Sequence, residues 1–223
     1  MPGTALEQNT HLKLTGGQRV YLWFKRGIDI LLSGVGLIVL SPVFLGVIVA
    51  IKLEDGWKAP VFFSQKRVGI HKRYFQLYKF RSMKLDTPHD MPTHLLHDPE
   101  QYITKAGKVL RRTSLDELPQ IWNILKGDMS VIGPRPALWN QEDLLEERDK
   151  YGANDVPPGL TGWAQINGRD ELEIDVKAQF DGEYVEKLSF PFDVKCFFGT
   201  IFRVLRSDGV VEGGTGAKEN NKQ

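Results

Sequence analysis

The sequence predicts an α+β fold that is mainly helical, built as a single membrane-associated domain. Three observations predict it. The stretch from Ile30 to Ile51 carries no charge, two segments between Val61 and Phe80 alternate apolar and polar residues around a short basic turn, and several later segments read as helices with an aromatic-rich face. A chain of 223 residues has room for one core of ordinary size. Its net charge of +1 sets up no strong overall field toward nucleic acid or an acidic partner. Cys196 is the single cysteine, so no internal disulfide forms and the chain suits a reducing compartment.

Taken in order, residues 1–20 read as a flexible polar leader, 21–206 as the anchored body and 207–223 as a glycine-rich, disordered tail. Tyr21, Trp23 and Phe24 suit an interfacial aromatic belt. At 1.5 Å per residue the apolar helix 30–51 would be roughly 33 Å long, close to a bilayer core of about 30 Å. Unlike a signal peptide, it lies behind a polar leader and ends on Lys52 and Glu54, so it reads as a retained anchor. Ser41-Pro42 interrupts its middle. Pro42 removes one backbone hydrogen bond and crowds the carbonyl of Ile38, which kinks a helix at a cost of about 3 kcal/mol or more unless neighbours compensate. Lys25 and Arg26 before the run, and Lys52, Lys58, Lys66 and Arg67 after it, put positive charge at both ends. The positive-inside rule then favours both ends in the cytoplasm, as in a helical hairpin dipping into one leaflet. A kinked spanning helix is the alternative, and sequence physics leaves the two equally open.

Beyond the anchor, Val61–Gln65 and Tyr74–Phe80 predict a β-hairpin. Residues 85–101 read as a proline-rich loop; its His89, His94 and His97 match no compact zinc ligand set. A short helix or turn is predicted at Gly107–Arg112, a helix at about Ser114–Leu125, a strand at Met129–Ile132 and a charged helix at Trp139–Lys150. One or two amphipathic helices follow between Leu172 and Leu205, with an aromatic face suited to the core or to the membrane interface.

Three clusters could carry chemistry. The densest is Arg111-Arg112-Thr113-Ser114-Leu115-Asp116-Glu117-Leu118-Pro119-Gln120. Pro119 belongs in a first helical turn, which places Asp116 and Glu117 at or just before a helix N-terminus, where phosphate is favoured. Two carboxylates beside two arginines would serve a phosphoryl group and a hard divalent cation. Ser114 and Glu117 also have the spacing of a capping box, which needs no catalysis. Successive helical residues do not face each other, so separate roles as nucleophile and metal ligand fit the pair better than a shared proton. The second cluster is Gly133-Pro134-Arg135-Pro136, two prolines stiffening the backbone around one arginine; a bidentate phosphate contact and a plain turn are both open. The third runs from Pro158 to Arg169, where three glycines allow either a close ligand approach or structural turns. The basic run Lys66, Arg67, Lys72, Arg73, Lys79, Arg81 and Lys84 is interleaved with aromatics. With so small a net charge, contact with lipid headgroups or a substrate diphosphate fits it better than nucleic acid.

Together these segments resemble the monotopic phosphoglycosyl transferases, or bacterial sugar transferases, from Lys25 to about Leu205. The ordered set is Lys25-Arg26-Gly27-Ile28-Asp29, Ser41-Pro42, Gln65-Lys66-Arg67-Val68-Gly69, Lys79-Phe80-Arg81-Ser82-Met83, Thr113–Gln120, Gly127-Asp128-Met129-Ser130, Gly133–Pro136 and Pro158–Arg169. The resemblance implies a re-entrant helix broken at Ser41 and Pro42, a catalytic domain on the cytoplasmic face of the bacterial inner membrane, and amphipathic interfacial helices. It implies transfer of a sugar 1-phosphate from a UDP-sugar donor to polyprenyl (undecaprenyl) phosphate, with UMP released. Asp116 would be the nucleophile, Glu117 the Mg²⁺ ligand, and Arg111, Arg135 and Arg169 phosphate holders, with Lys79 and Arg81 as weaker headgroup contacts. Larger relatives carry extra N-terminal regions, which makes this chain look like the minimal catalytic form. Val156-Pro157-Pro158-Gly159, preceded by Asn154 and Asp155, departs from the family, many of whose members place basic residues there. A membrane-bound hydrolase of nucleotide sugars or lipid diphosphates, and a non-catalytic scaffold, are the competing readings. The sugar, the glycan pathway and the oligomeric state, a homodimer included, stay open.

Overall fold

The computed structural model describes residues 14–87, 99–168 and 172–206. His89, His94, His97 and Arg169, most of the leader and the tail from 207 onward lie outside the described residues.

The predicted anchor falls within two helices, α1 (Gly16–Val39) and α2 (Ser41–Asp55), bent by 58° at Leu40. No single described helix is long and apolar enough to cross a membrane, whereas this bent pair has the length and composition together. The bend has a local cause. Pro42 sits in the first turn of α2, where a missing N–H is tolerated, and the Ser41 hydroxyl donates to the carbonyl of Ile38 at 2.8 Å. The carbonyl that the proline crowds thus keeps a partner. Leu31, Val35 and Ile38 on α1 and Leu45 and Leu53 on α2 stay exposed, which leaves a wide apolar face on this arm.

The N-terminal half of α1 is sewn into the body. Lys25 pairs with Asp193, the Arg26 guanidinium donates to the carbonyls of Ile124 and Leu125, and Asp29 accepts from the Val131 N–H at 3.0 Å. Lys25 is buried, and Lys52 is turned back onto the carbonyls of Trp57 and Ala59. These flanking cations therefore act as internal ties, a use that a positive-inside count does not reveal.

The predicted hairpin is present as β1 (Phe62–Val68) and β2 (Tyr74–Phe80), antiparallel with Phe63 opposite Lys79. After it come α3 (Lys105–Arg112), a 3-10 turn at Leu115–Glu117, and α4 (Gln120–Lys126). The expected helix over 114–125 is thus divided, because Pro119 has no N–H to give to the carbonyls of Leu115 and Asp116. Bonds to the third residue back carry the chain through instead, from Glu117 to Ser114 and from Leu118 to Leu115. Strand β3 (Ser130–Ile132) pairs in parallel with β4 (Gly159–Thr161), a pairing that no local pattern announced. The charged helix is shorter than expected, as α5 (Glu142–Asp149), and α6 (Trp163–Asn167), α7 (Ile174–Glu186) and α8 (Phe190–Arg206) complete the body. One core cluster joins Ile132, Tyr184, Val185, Leu188 and Phe192; a second joins Val47 and Ile51 of α2 to Phe80 and Leu110. Helix α8 keeps Phe190, Phe197, Phe198 and Phe202 exposed, so part of its aromatic face is core and part is surface.

Candidate active site

The 3-10 turn at Leu115–Glu117 carries both predicted catalytic carboxylates. Ser114, which opens it, has the left-handed backbone (φ 56°), a conformation that costs a side chain about 1–2 kcal/mol. Its hydroxyl makes no capping bond, so the capping box allowed by the spacing is not formed. The turn precedes α4, which is only seven residues long. The positive charge at this turn is supplied by side chains, rather than by the helix N-terminus that Pro119 suggested.

Those side chains converge from three elements. Lys79, near the end of β2, donates to Glu117 Oε1 at 3.0 Å and lies 3.5 Å from Asp116 Oδ2. Arg135, in the segment after β3, donates to the same Glu117 oxygen at 3.0 Å. The Asp116 side chain is 3% exposed and that of Glu117 16%, so both carboxylates lie in a largely water-excluded place. Burial pushes Glu117 up, but Lys79 first and Arg135 second overcome it and hold its carboxyl well below the usual range. Glu117 is therefore an anion throughout ordinary pH.

The backbone around the site is held by residues that sequence reasoning missed. Asn123, fully buried on α4, accepts from the Tyr78 N–H at 3.0 Å and donates to the Gln76 carbonyl at 2.7 Å. Its amide thus imitates one more strand on the edge of β2 and fixes the strand next to Lys79. The one signal available was an asparagine inside the apolar run Ile121-Trp122-Asn123-Ile124-Leu125. The glycines of the third cluster also have a definite use. A Cβ at Gly159 would stand 2.1 Å from the Gly133 nitrogen, and one at Gly162 2.1 Å from the Gly133 carbonyl oxygen. The second and third clusters therefore interlock backbone to backbone, and these two glycines serve that packing.

Arg111 lies in the last turn of α3, four positions before the turn at Leu115, and is partly buried. Arg81 does not join the cluster: it is buried against Asp55 at 2.8 Å and the Pro60 carbonyl at 2.7 Å, where it ties the exit of α2 to the hairpin. Other members of the basic run also have internal partners, Lys72 with Asp149 and Lys66 over the rings of Tyr74 and Trp139.

Residues 20–207 match the family model described as bacterial sugar transferase. The chain is 43% identical over 170 residues to the uncharacterized sugar transferase EpsL of Bacillus subtilis, covering 76% of this chain and 81% of that protein. It is 42% identical over 187 residues to the UDP-glucose:undecaprenyl-phosphate glucose-1-phosphate transferase of Escherichia coli, covering 80% of this chain but 39% of that protein. It is 34% identical over 199 residues to the exopolysaccharide production protein ExoY of Sinorhizobium fredii, covering 83% and 87%. A match of this extent, over the buried carboxylate pair and its two cations, means that the chain belongs to the bacterial sugar transferase family.

Proposed function

We propose that the chain transfers a sugar 1-phosphate from a UDP-sugar to undecaprenyl phosphate, releasing UMP, as an early membrane step in building a bacterial exopolysaccharide. The observation that carries the reading is the convergence of Lys79 and Arg135 on the Asp116–Glu117 pair, within a chain that aligns with a glucose-1-phosphate transferase along 80% of its length.

Asp116 is the nucleophile in this reading. One of its oxygens attacks the β-phosphorus, the bond from that phosphorus to the UMP oxygen breaks, and UMP leaves with the electron pair. A lipid phosphate oxygen then attacks the same phosphorus, breaks its bond to Asp116 and restores the carboxylate. Lys79 and Arg135 supply fixed positive charge where the diphosphate arrives, while Arg111 and Arg169 complete the phosphate contacts. Glu117 would hold Mg²⁺. Among the described residues no three acidic, His or Cys side chains converge into a closed metal cage. An adjacent carboxylate pair fits Mg²⁺ all the same, because this ion takes one or two carboxylates and completes its shell with water and substrate phosphates. When bound, it offsets diphosphate charge and eases departure of UMP. The bent anchor enters and leaves one leaflet, and the site faces the cytoplasm at the inner membrane.

The test is the intact mass of the full chain after incubation with a panel of UDP-sugars and Mg²⁺ but no lipid. A gain of one sugar phosphate, absent from Asp116→Asn, is expected and identifies the donor. UMP release that continues for many turnovers without a lipid acceptor would make the chain a hydrolase instead.

A further inference from the structure

Behind Arg135 lies a costly feature that the contact of its side chain with Glu117 does not explain. Arg148 on α5 and Asp181 on α7 form an ion pair in which the side chains are 4% and 1% exposed. The Arg148 Nε lies 2.8 Å and its Nη2 2.6 Å from a single oxygen, Asp181 Oδ2. The other oxygen, Oδ1, is buried with no hydrogen-bond partner among the described residues. An ion pair so deep and so unevenly satisfied is a poor source of stability; an apolar pair of equal volume commonly does as well or better.

What an apolar pair would not supply is the second use of the guanidinium. Arg148 Nη2 also donates to the backbone carbonyl of Arg135 at 3.0 Å. The neighbouring carbonyls are held as well: that of Pro134 accepts from the Gly159 N–H at 2.8 Å and that of Pro136 from Arg67 Nη1 at 3.1 Å. Three consecutive carbonyls are therefore pinned from three directions, by β4, by α5 and by β1. The residue in the middle is the one whose side chain reaches Glu117. Proline rings on both sides fix φ but leave the peptide planes free to tilt, and the carbonyl bonds remove that freedom.

We propose that the Arg148–Asp181 pair is a positioning device for Arg135, with Asp181 orienting the Arg148 fork so that it holds the Arg135 carbonyl and aims that arginine at the incoming phosphate. Arg148 and Asp181 touch no substrate in this arrangement and act only through Arg135. The inference rests on the transferase reading for its role in turnover, so its test uses a readout that does not need turnover.

The experiment measures binding of inorganic pyrophosphate to the full chain in detergent micelles, by calorimetry, as a double-mutant cycle. Arg135→Ala is expected to weaken binding roughly tenfold, about the share of one charge-assisted contact. The paired change Arg148→Met with Asp181→Leu is expected to weaken it by a similar factor while the melting temperature is kept or raised. Combining all three changes is expected to cost no more than Arg135→Ala alone. Arg148→Lys, which keeps the charge beside Asp181 but lacks the fork, is expected to fold normally and bind as weakly as the paired change. Losses that multiply in the triple variant, unchanged affinity in the paired variant, or a wild-type chain that does not bind pyrophosphate would each overturn the inference. Coupled losses in a chain that turns over no UDP-sugar would sink the transferase reading and leave the positioning role standing.

Discussion

Glu117 accepts from both a lysine and an arginine in a place that water scarcely reaches, and this fixes how the site responds to acid. The fold favours its ionised form, so its contribution to stability is complete above its ordinary value of 4.5 and is lost only as pH falls below that. Glu117→Gln should leave Lys79 and Arg135 poorly matched, cost roughly 1–3 kcal/mol and lower the melting temperature at pH 7 by several degrees. The gap from wild type should narrow as pH drops below about 4.5; a gap that stays constant down to pH 3 would mean that the carboxylate charge contributes nothing. At this scale the sequence was informative where chemistry clusters locally. Asp116 and Glu117 stand beside arginines in the chain, and Arg135 stands between two prolines. Lys79 was harder to place, because its partners are 37 and 38 positions away and only the packing of the 3-10 turn against β2 brings them together. Arg81, two residues on and past the end of β2 at Phe80, is held by Asp55 and the Pro60 carbonyl instead, so the same-face rule of the strand no longer places it beside Lys79.

Among the elements, the broken anchor was legible because proline acts locally, and the bend falls beside Ser41-Pro42. Its geometry yields a topology experiment. A cysteine introduced at Thr10, ahead of α1, should resist membrane-impermeant maleimide in intact cells. Replacing Ser41 and Pro42 together by alanine should favour one continuous helix from 16 to 55, about 60 Å long at 1.5 Å per residue, and the Thr10→Cys label should then appear. Labelling of the cysteine with Ser41-Pro42 intact would make the anchor a spanning helix. The hairpin was legible by alternation, but the parallel pairing of β3 with β4 was not. Each of those strands has three residues, and what joins them is the close approach of Gly133 to Gly159 and Gly162 across 26 and 29 positions. Patterns within a short window carry no trace of such an approach. The aromatic stretch near the C-terminus was seen as helical, but which rings face inward depends on Tyr184 and Phe192 finding Ile132.

Viewed whole, the molecule presents apolar surface on the anchor arm and on α8, while much of its basic run is engaged internally. Attachment to a bilayer should therefore be apolar in character. Membranes carrying the full chain should retain it through a wash in about 1 M NaCl, where screening acts within ~3 Å, and release it to detergent; release by salt alone would show that headgroup charge holds it. The ties made by the first half of α1 have a practical consequence. Trimming the chain to begin after Asp55 would strip partners from Asp193, from the Val131 amide and from the last carbonyls of α4, and would uncover Phe80 and Leu110. The tether is thus not a handle that can be cut away to yield a soluble enzyme. Any strategy for handling, crystallising or redesigning this protein has to treat the apolar arm as part of the catalytic body's own scaffold.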